Sequence, residues 1–507
     1  MGIWEKAEQD IVIHEGKMNI IESCLDRHAK SSPAKSAFIF EDESGNIKSY
    51  PYKELQREVN KFANLLNKLE VKQDSRVFIF LPKIPEMYIS FLASIKHGSI
   101  AAPLFEAFQA EGLELRLERG GADVLVTNKE LIQRLKKKIE DMKIIIIDSD
   151  EYIKQIEGCS DEFETILKDK KDTATMIFTS STAGTPVAGV NICHYALVQQ
   201  HYTGKLVLAL KPEDRYWCTA HPGWVTGSIY GIIAPLSIGC TSYVYEAHFS
   251  AEKWINFLLK NRISVLYTAP TALRMLKPEI TKEDLKYLKN LCSVGEALTN
   301  AVFDFYKTLG IEINDTYWQT ETGAMVICSW PGLIKKHGSM GKAIPGITSE
   351  IINQTIHLRP DFPSIMTSIY KHKQMYKEYF ADGWFKTNDM AEKDEDGYFF
   401  FIGRKDDIIK TAGERVSPIE IESILMKHKT VKEAAVIGVP DEIKGSVIKA
   451  FIVLNSGFEE NEQLKQELSM FIKQNYAGHS YPKQIEFVPS LPKTNSGKII
   501  RAALRKI

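Results

Sequence analysis

The feature that most narrows the fold is an alternation of strand-like and helix-like segments that recurs through most of the chain. Residues Tyr52 to Leu69 place Leu55, Val59, Phe62, Leu66 and Leu69 at steps of three and four, the apolar stripe of an amphipathic helix. Arg76 to Leu81 (RVFIFL) then reads as a buried strand, Ile84 to His97 as a helix closed by Gly98, and Asp123 to Asn128 (DVLVTN) as another strand. The order returns as helix Glu252 to Asn261, strand Ile263 to Thr268, helix Lys282 to Lys289, strand Leu291 to Gly295, helix Asn300 to Leu309 and strand Ile311 to Tyr317. Such patterning predicts an α/β fold. In such sheets ligands bind beyond the carboxyl ends of strands, so the loops starting at Gly295 and Tyr317 are where chemistry is expected. No internal period of roughly 20–50 residues is visible, which argues against a solenoid.

The chain has 507 residues, whereas a single core rarely grows beyond about 250–300, so at least two domains are expected. A boundary falls near Gly403 to Asp407, after which the pattern restarts as helix Ile419 to His428, strands Glu433 to Gly438 and Ile448 to Leu454, and helix Glu462 to Gln474. The expected division is a large, multi-layered α/β domain over residues 1–403 and a small α+β domain over 404–507. With 64 basic and 65 acidic side chains, no global field recruits nucleic acid or an acidic membrane. The tail from Lys483 to Ile507 is the local exception, with six basic residues against Glu486 alone, a solvated face or a surface for a polyanion. Seven cysteines without CxxC spacing read as reduced thiols in a cytoplasmic protein. The N-terminal residues lack the apolar run of a signal peptide and a Ser or Thr at position six, so neither secretion nor myristoylation is expected. Tyr230 to Tyr245, the most apolar stretch, contains Pro235 and two glycines and is shorter than the ~20 residues that span a bilayer.

Four blocks carry chemistry. Met176 to Val190 (MIFTSSTAGTPVAGV) is an apolar strand running into small hydroxylated residues and glycines, including Thr179, Ser180, Thr182 and Gly184. Backbone N–H groups and hydroxyls in such a loop can close around phosphate oxygens. It is not a Walker A loop, because no GK[ST] follows. Asn314 to Gly323 (NDTYWQTETG) leaves a predicted strand with Asp315, Thr316, Gln319, Thr320 and Glu321 beside two aromatics. Gly383 to Ser423 contains Asp389, Arg404, Asp406, Gly413 and Arg415, and Leu491 to Arg501 (LPKTNSGKIIR) contains Lys498. In this order and spacing the blocks resemble the AMP-forming acyl-CoA synthetases of the adenylate-forming superfamily over nearly the whole chain. Within it, YWCTAHPGWVTGSIYG, YTAPTALRML, SVGEAL and DTYWQTETG are most similar to the acetyl-CoA synthetase branch.

The resemblance implies an acid–thiol ligase that turns a short-chain carboxylate, acetate or propionate, and MgATP into acyl-AMP and pyrophosphate, then lets coenzyme A displace AMP. It implies that Gly295, Glu296 and Ala297 with Asp315, Thr316 and Tyr317 line the adenine, that Asp389 holds the ribose hydroxyls, and that Arg404 and Arg415 reach ribose and phosphates. Thr179, Ser180, Thr182 and Gly184 fall in the phosphate loop, and Gln319 in the nucleotide-binding block. Glu321 and Thr320 would meet Mg²⁺, a hard cation that favours oxygen. Lys498 would bridge carboxylate and α-phosphate as a compact point charge. Trp224, Val225, Thr226, Val294 and Trp318 would form the acyl pocket, closed at short chain length by the Trp318 indole. Asp406 resembles the hinge of a mobile small domain. After its rotation, Ala412 and Gly413 would face the thiol tunnel, with Thr226 and Lys473 near coenzyme A. Met426, His428 and Val431 resemble a site where backbone carbonyls hold a cation. An exposed Lys498 would also be open to a lysine-modifying enzyme.

Two segments depart from the family pattern. In the phosphate loop, usually TSGTTGxPKG, Ser181 replaces a Gly, Ala183 replaces a Thr and PVAG replaces PKG without a Lys. Ile351 to Ser364 is shorter than the corresponding family hairpin. Neither change touches Asp389, Arg404, Arg415 or Lys498. Two alternatives therefore stay open: an adenylating enzyme that hands its acyl group to a carrier-protein thiol, and a nucleotide-binding pseudoenzyme with a degenerate phosphate loop.

Overall fold

The computed structural model describes residues 2–179, 188–405, 407, 409–411, 414–441, 445–475, 481–493 and 499–505. The helix expected from the 52–69 stripe runs Tyr52–Lys68 and buries Leu55, Val59, Phe62 and Leu66. Each buried aliphatic or aromatic side chain of this kind contributes about 1.5–3 kcal/mol, so the stripe suffices to dock the helix. Strands Arg76–Phe80 and Val124–Thr127 pair in parallel, and helix Pro85–Lys96 crosses between Arg76–Phe80 and its other parallel neighbour, Ile100–Leu104. These strands centre a seven-stranded sheet. Thr173–Phe178 joins it beside Ile100–Leu104 and pairs antiparallel with Gly189–Cys193.

The second sheet has fourteen strands. Its parallel centre runs Ile313–Tyr317, Asn290–Val294, Val265–Thr268, Arg215–Cys218, Thr241–Tyr245 and Ser36–Glu41. Beyond Ile313–Tyr317 the sheet turns antiparallel through Ile327–Cys328, Gly341–Ala343, Tyr398–Arg404 and Trp384–Lys393. That extension places Asp389 opposite Arg404 in register, beside the loop that follows Tyr317.

One expected helix does not form. Lys282 to Lys289 holds only the short 3₁₀ turn Glu283–Leu285. The backbone N–H groups of Lys289 and Asn290 both reach the Ser264 carbonyl, committing the chain to the sheet before a second helical turn can close. The shortened segment at 351–364 is a tight hairpin, Ser349–Ile352 paired with Thr355–Leu358, turning through Asn353 and Gln354 at φ +51° and +61°.

After residue 404 the chain forms a three-stranded sheet of Val431–Asp441, Gly445–Leu454 and Gln484–Phe487, covered by helices Pro418–Leu425 and Glu462–Asn475. Its own core joins Ile421, Leu425, Val436, Ile448, Ala450, Ile452, Leu468 and Ile472. Arg501 Nη2 donates to both carboxylate oxygens of Glu422 at 2.7 Å, fixing the last described helix to this unit. All seven cysteines are free thiols; Cys159 and Cys218 are half-buried, the rest buried. No helix among the described residues is long and apolar enough to cross a membrane.

Candidate active site

Two loops leave the carboxyl ends of the adjacent parallel strands Asn290–Val294 and Ile313–Tyr317. The first begins at exposed Gly295, whose φ of +93° suits a residue without Cβ. Glu296 then turns its carboxylate away: it accepts the Thr271 backbone N–H at 2.7 Å and lies 3.3 Å from the Arg274 guanidinium. Ala269 cannot cap helix Pro270–Leu276, so Glu296 supplies the missing acceptor. Any part Glu296 plays in lining a base therefore falls to its backbone. Ala297, beside it, is half-buried.

Pleating divides the second loop. Thr316 and Trp318 face the interior between the sheets, where both meet the Tyr267 hydroxyl, at 2.8 Å and 3.1 Å. Tyr317 points the other way, and its hydroxyl donates to Asp389 Oδ2 at 2.8 Å. Gln319 Nε2 donates to the same oxygen at 2.6 Å and to the Thr387 carbonyl at 2.9 Å. Arg404 Nε lies 3.7 Å from Asp389 Oδ1. The structure thus brings together Tyr317, Gln319, Asp389 and Arg404, residues spread over 88 positions of sequence. Asp315, on the Tyr317 face, is buried and accepts the Ser293 hydroxyl at 2.5 Å; burial pushes its carboxyl up to about 7.

Glu321 is held by Tyr379, whose hydroxyl donates to Oε1 at 3.0 Å. Burial raises the Glu321 carboxyl above its ordinary range, the expected effect when a charge leaves water without a full counter-charge. A half-buried carboxylate with one oxygen tied by a neutral hydroxyl fits an oxygen-liking cation. Thr320 is half-buried beside it.

Val225, Val294 and Trp318 belong to one apolar cluster. Trp224 packs on Phe105 and Phe108, at 5.5 and 6.4 Å between ring centroids. Helix Val225–Ser228 carries Thr226, and Gly227 in it lets the chain fold back on His221: a Cβ there would sit 2.1 Å from the His221 carbonyl oxygen. Thr179 follows strand Thr173–Phe178 directly. Ser180, Thr182, Gly184, Asp406, Ala412, Gly413 and Lys498 lie outside the described residues, as does the altered stretch with Ser181 and Ala183. Arg415 sits in strand Glu414–Val416, opposite Lys410. Lys473 is exposed on helix Glu462–Asn475, over the Tyr481 ring at 5.6 Å. Met426 caps helix Pro418–Leu425, and the His428 carbonyl accepts the Val431 N–H at 3.0 Å. The His428 ring meets Thr430 and Glu467.

Sequence reasoning missed Tyr267, Tyr379 and Thr387, the groups that hold Trp318, Glu321 and Asp389 in place. Tyr267 stands inside the motif YTAPTALRML and Thr387 inside the block from Gly383 to Ser423; nothing local marks Tyr379.

An AMP-binding enzyme family model matches residues 25–361, and the AMP-binding enzyme C-terminal domain model matches 420–498. The chain is 42% identical to an acetyl-coenzyme A synthetase of Bacillus subtilis (strain 168), over 97% of this chain and 90% of that protein. A Brucella canis acyl-CoA synthetase superposes with a TM-score of 0.77 at 30% identity, covering 99% of this chain and 96% of that one. An anthranilate CoA ligase solved with anthranoyl-AMP gives 0.88 at 25% identity, over 97% and 98%. A chain that matches these models along most of its length, with the fold of adenylate-forming enzymes, belongs to the AMP-binding enzyme family.

Proposed function

We propose that this protein is an AMP-forming acid–thiol ligase that converts acetate, ATP and coenzyme A to acetyl-CoA, AMP and pyrophosphate. The observation that carries the reading is the loop after Tyr317. It ties the Trp318 indole to Tyr267 on one side and gathers Tyr317, Gln319 and Asp389 on the other. That arrangement supports a reading in which a blunt apolar pocket lies beside a carboxylate suited to two vicinal hydroxyls, what a short acyl group joined to a nucleotide requires. In the first half-reaction a carboxylate oxygen attacks the α-phosphorus while the bond to the β-phosphate oxygen breaks, and pyrophosphate leaves with the electron pair. In the second, the thiolate attacks the acyl carbon and AMP departs.

In this reading Gly295, Ala297, the Glu296 and Thr316 backbones, Asp315 and Tyr317 border the base, Asp389 accepts from the ribose hydroxyls, and Arg404 with Arg415 neutralises phosphate charge. Thr179 and the segment after it serve the phosphates. Glu321 and Thr320 are the residues that would hold Mg²⁺, which supplies charge neutralisation on phosphate oxygens. Trp224, Val225, Thr226, Val294 and Trp318 bound the acyl group. Lys498 brings a positive charge to the attacking carboxylate. The chain divides at 403/404, with Asp406 as hinge of the smaller domain and Ala412, Gly413 and Lys473 on the coenzyme A side; Met426, His428 and Val431 offer carbonyls to a second cation. Cytoplasmic location and control by modification of Lys498 complete the proposal.

Acetate-dependent ATP–pyrophosphate exchange tests the first half. Exchange without coenzyme A, followed by acetyl-CoA on its addition, is expected. Exchange without acetyl-CoA would favour a carrier-protein acceptor, and ATP binding without exchange for any acid would make the chain a pseudoenzyme.

A further inference from the structure

Trp318 ends a hydrogen-bond chain in which every proton can be assigned. The Thr316 hydroxyl donates to the Ser293 carbonyl at 2.7 Å, so its oxygen is left to accept the Tyr267 O–H at 2.8 Å. The Tyr267 oxygen in turn accepts the Trp318 indole N–H at 3.1 Å. Tyr267 is fully buried, and desolvation keeps its phenol protonated. Tyr230 supplies a second support, its ring edge-on to the indole at 5.0 Å and to Tyr267 at 5.8 Å. Tyr230 is itself locked: its hydroxyl accepts the Met325 N–H at 2.9 Å and shares a 2.7 Å bond with Thr203, whose proton goes to the Gln199 carbonyl at 2.8 Å. The indole of a half-buried loop residue is thus fixed at its N–H and against its ring.

A wall excludes an extra methylene only if moving the wall costs more than the methylene gains by burial. An indole free to change rotamer would yield to a longer acid. We propose that Tyr267 is a specificity-determining positioning residue: its hydroxyl pins Trp318 across the acyl pocket and thereby sets the chain-length limit. The proposal rests on the reading of Trp318 as the wall of that pocket.

Tyr267→Phe keeps the ring and removes the pin. Against acetate, propionate and butyrate, the butyrate-to-acetate ratio of kcat/KM should rise about tenfold, while the KM for MgATP stays near native, a split that general loosening of the fold would not produce. Trp318→Gly, measured in parallel, should raise the same ratio further. If Trp318→Gly keeps the native profile, the wall reading itself fails. If Trp318→Gly shifts the profile and a folded Tyr267→Phe does not, the pin is overturned and the wall stands. Should Tyr267→Phe not fold, the native protein decides: the Trp318 indole N–H, assigned in ¹⁵N-indole spectra by its loss in Trp318→Phe, should exchange slowly with solvent. Exchange as fast as for an exposed indole overturns the pin.

Discussion

Glu296 and Glu321 follow neighbouring parallel strands of one sheet, yet their carboxylates differ in every respect that matters chemically. Glu296 is tied to the backbone of Thr271 and to Arg274, and its charge is matched by a helix N-terminus and a guanidinium. Glu321 is half-buried, held by a neutral phenol, and raised in pKa by desolvation. The first loop is anchored to the helix packed against it, whereas the second leans on the antiparallel extension that brings in Asp389 and Arg404. Position beyond a strand therefore nominates a residue for chemistry, and the groups around it decide whether its charge is already satisfied.

Four measurements can break or sharpen this contrast. Asp389→Ala takes the shared acceptor from Tyr317 and Gln319 at the base of the second loop. Hydrogen bonds to a charge are worth about 1.5–3 kcal/mol each, so kcat/KM for ATP in pyrophosphate exchange should fall roughly 10²- to 10⁴-fold. A folded variant within tenfold of native would move the nucleotide elsewhere.

Asp315 joins the bases of both loops through Ser293. Its folded pKa of about 7 lies above its ordinary value, so between about pH 4 and 7 the native state binds more protons than the unfolded state, and stability falls as pH rises. Asp315→Asn should remove this slope. Compared by urea melts, the variant should gain on the native protein by up to ~4 kcal/mol from pH ~4 to ~7. A difference that does not change with pH would show that Asp315 ionises normally.

Glu321→Gln keeps the Tyr379 contact and deletes the charge. Adenylation should drop by about 100-fold, roughly 3 kcal/mol, with a raised Mg²⁺ requirement. Native Mg²⁺ dependence would equate Glu321 with Glu296 and remove the contrast. Glu296→Gln should show the smallest effect, a loss of about 1 kcal/mol in stability with the KM for ATP near native. A large rise in that KM would give the first loop a direct part in binding.

Much of the parallel framework was legible from the chain. The 52–68 helix and the strands at 76–80, 124–127, 265–268, 290–294 and 313–317 follow from period and turn residues, because a buried strand or one-sided helix must show its apolar pattern locally. The 282–289 helix was misjudged because Leu285 and Leu288 keep helical spacing while the pull toward the Ser264 carbonyl is tertiary. Asp389, Arg404, Trp318 and Glu321 were legible as motif members. Tyr267 and Thr387 lie inside motif blocks without being marked there, and Tyr379 lies outside them, since a side chain that makes one hydrogen bond across a core reads like any other core residue.

The sequence by itself determined the α/β class and the residue types available for adenylate chemistry, since period, turn residues and motif spacing are local. Only the tertiary structure decided that Glu296 caps a helix, that Tyr317 and Trp318 point to opposite faces with different tasks, and that Tyr267 holds the indole. Those outcomes depend on strand register, where a shift of one residue would exchange the two faces, and register is set by contacts between segments far apart in the chain.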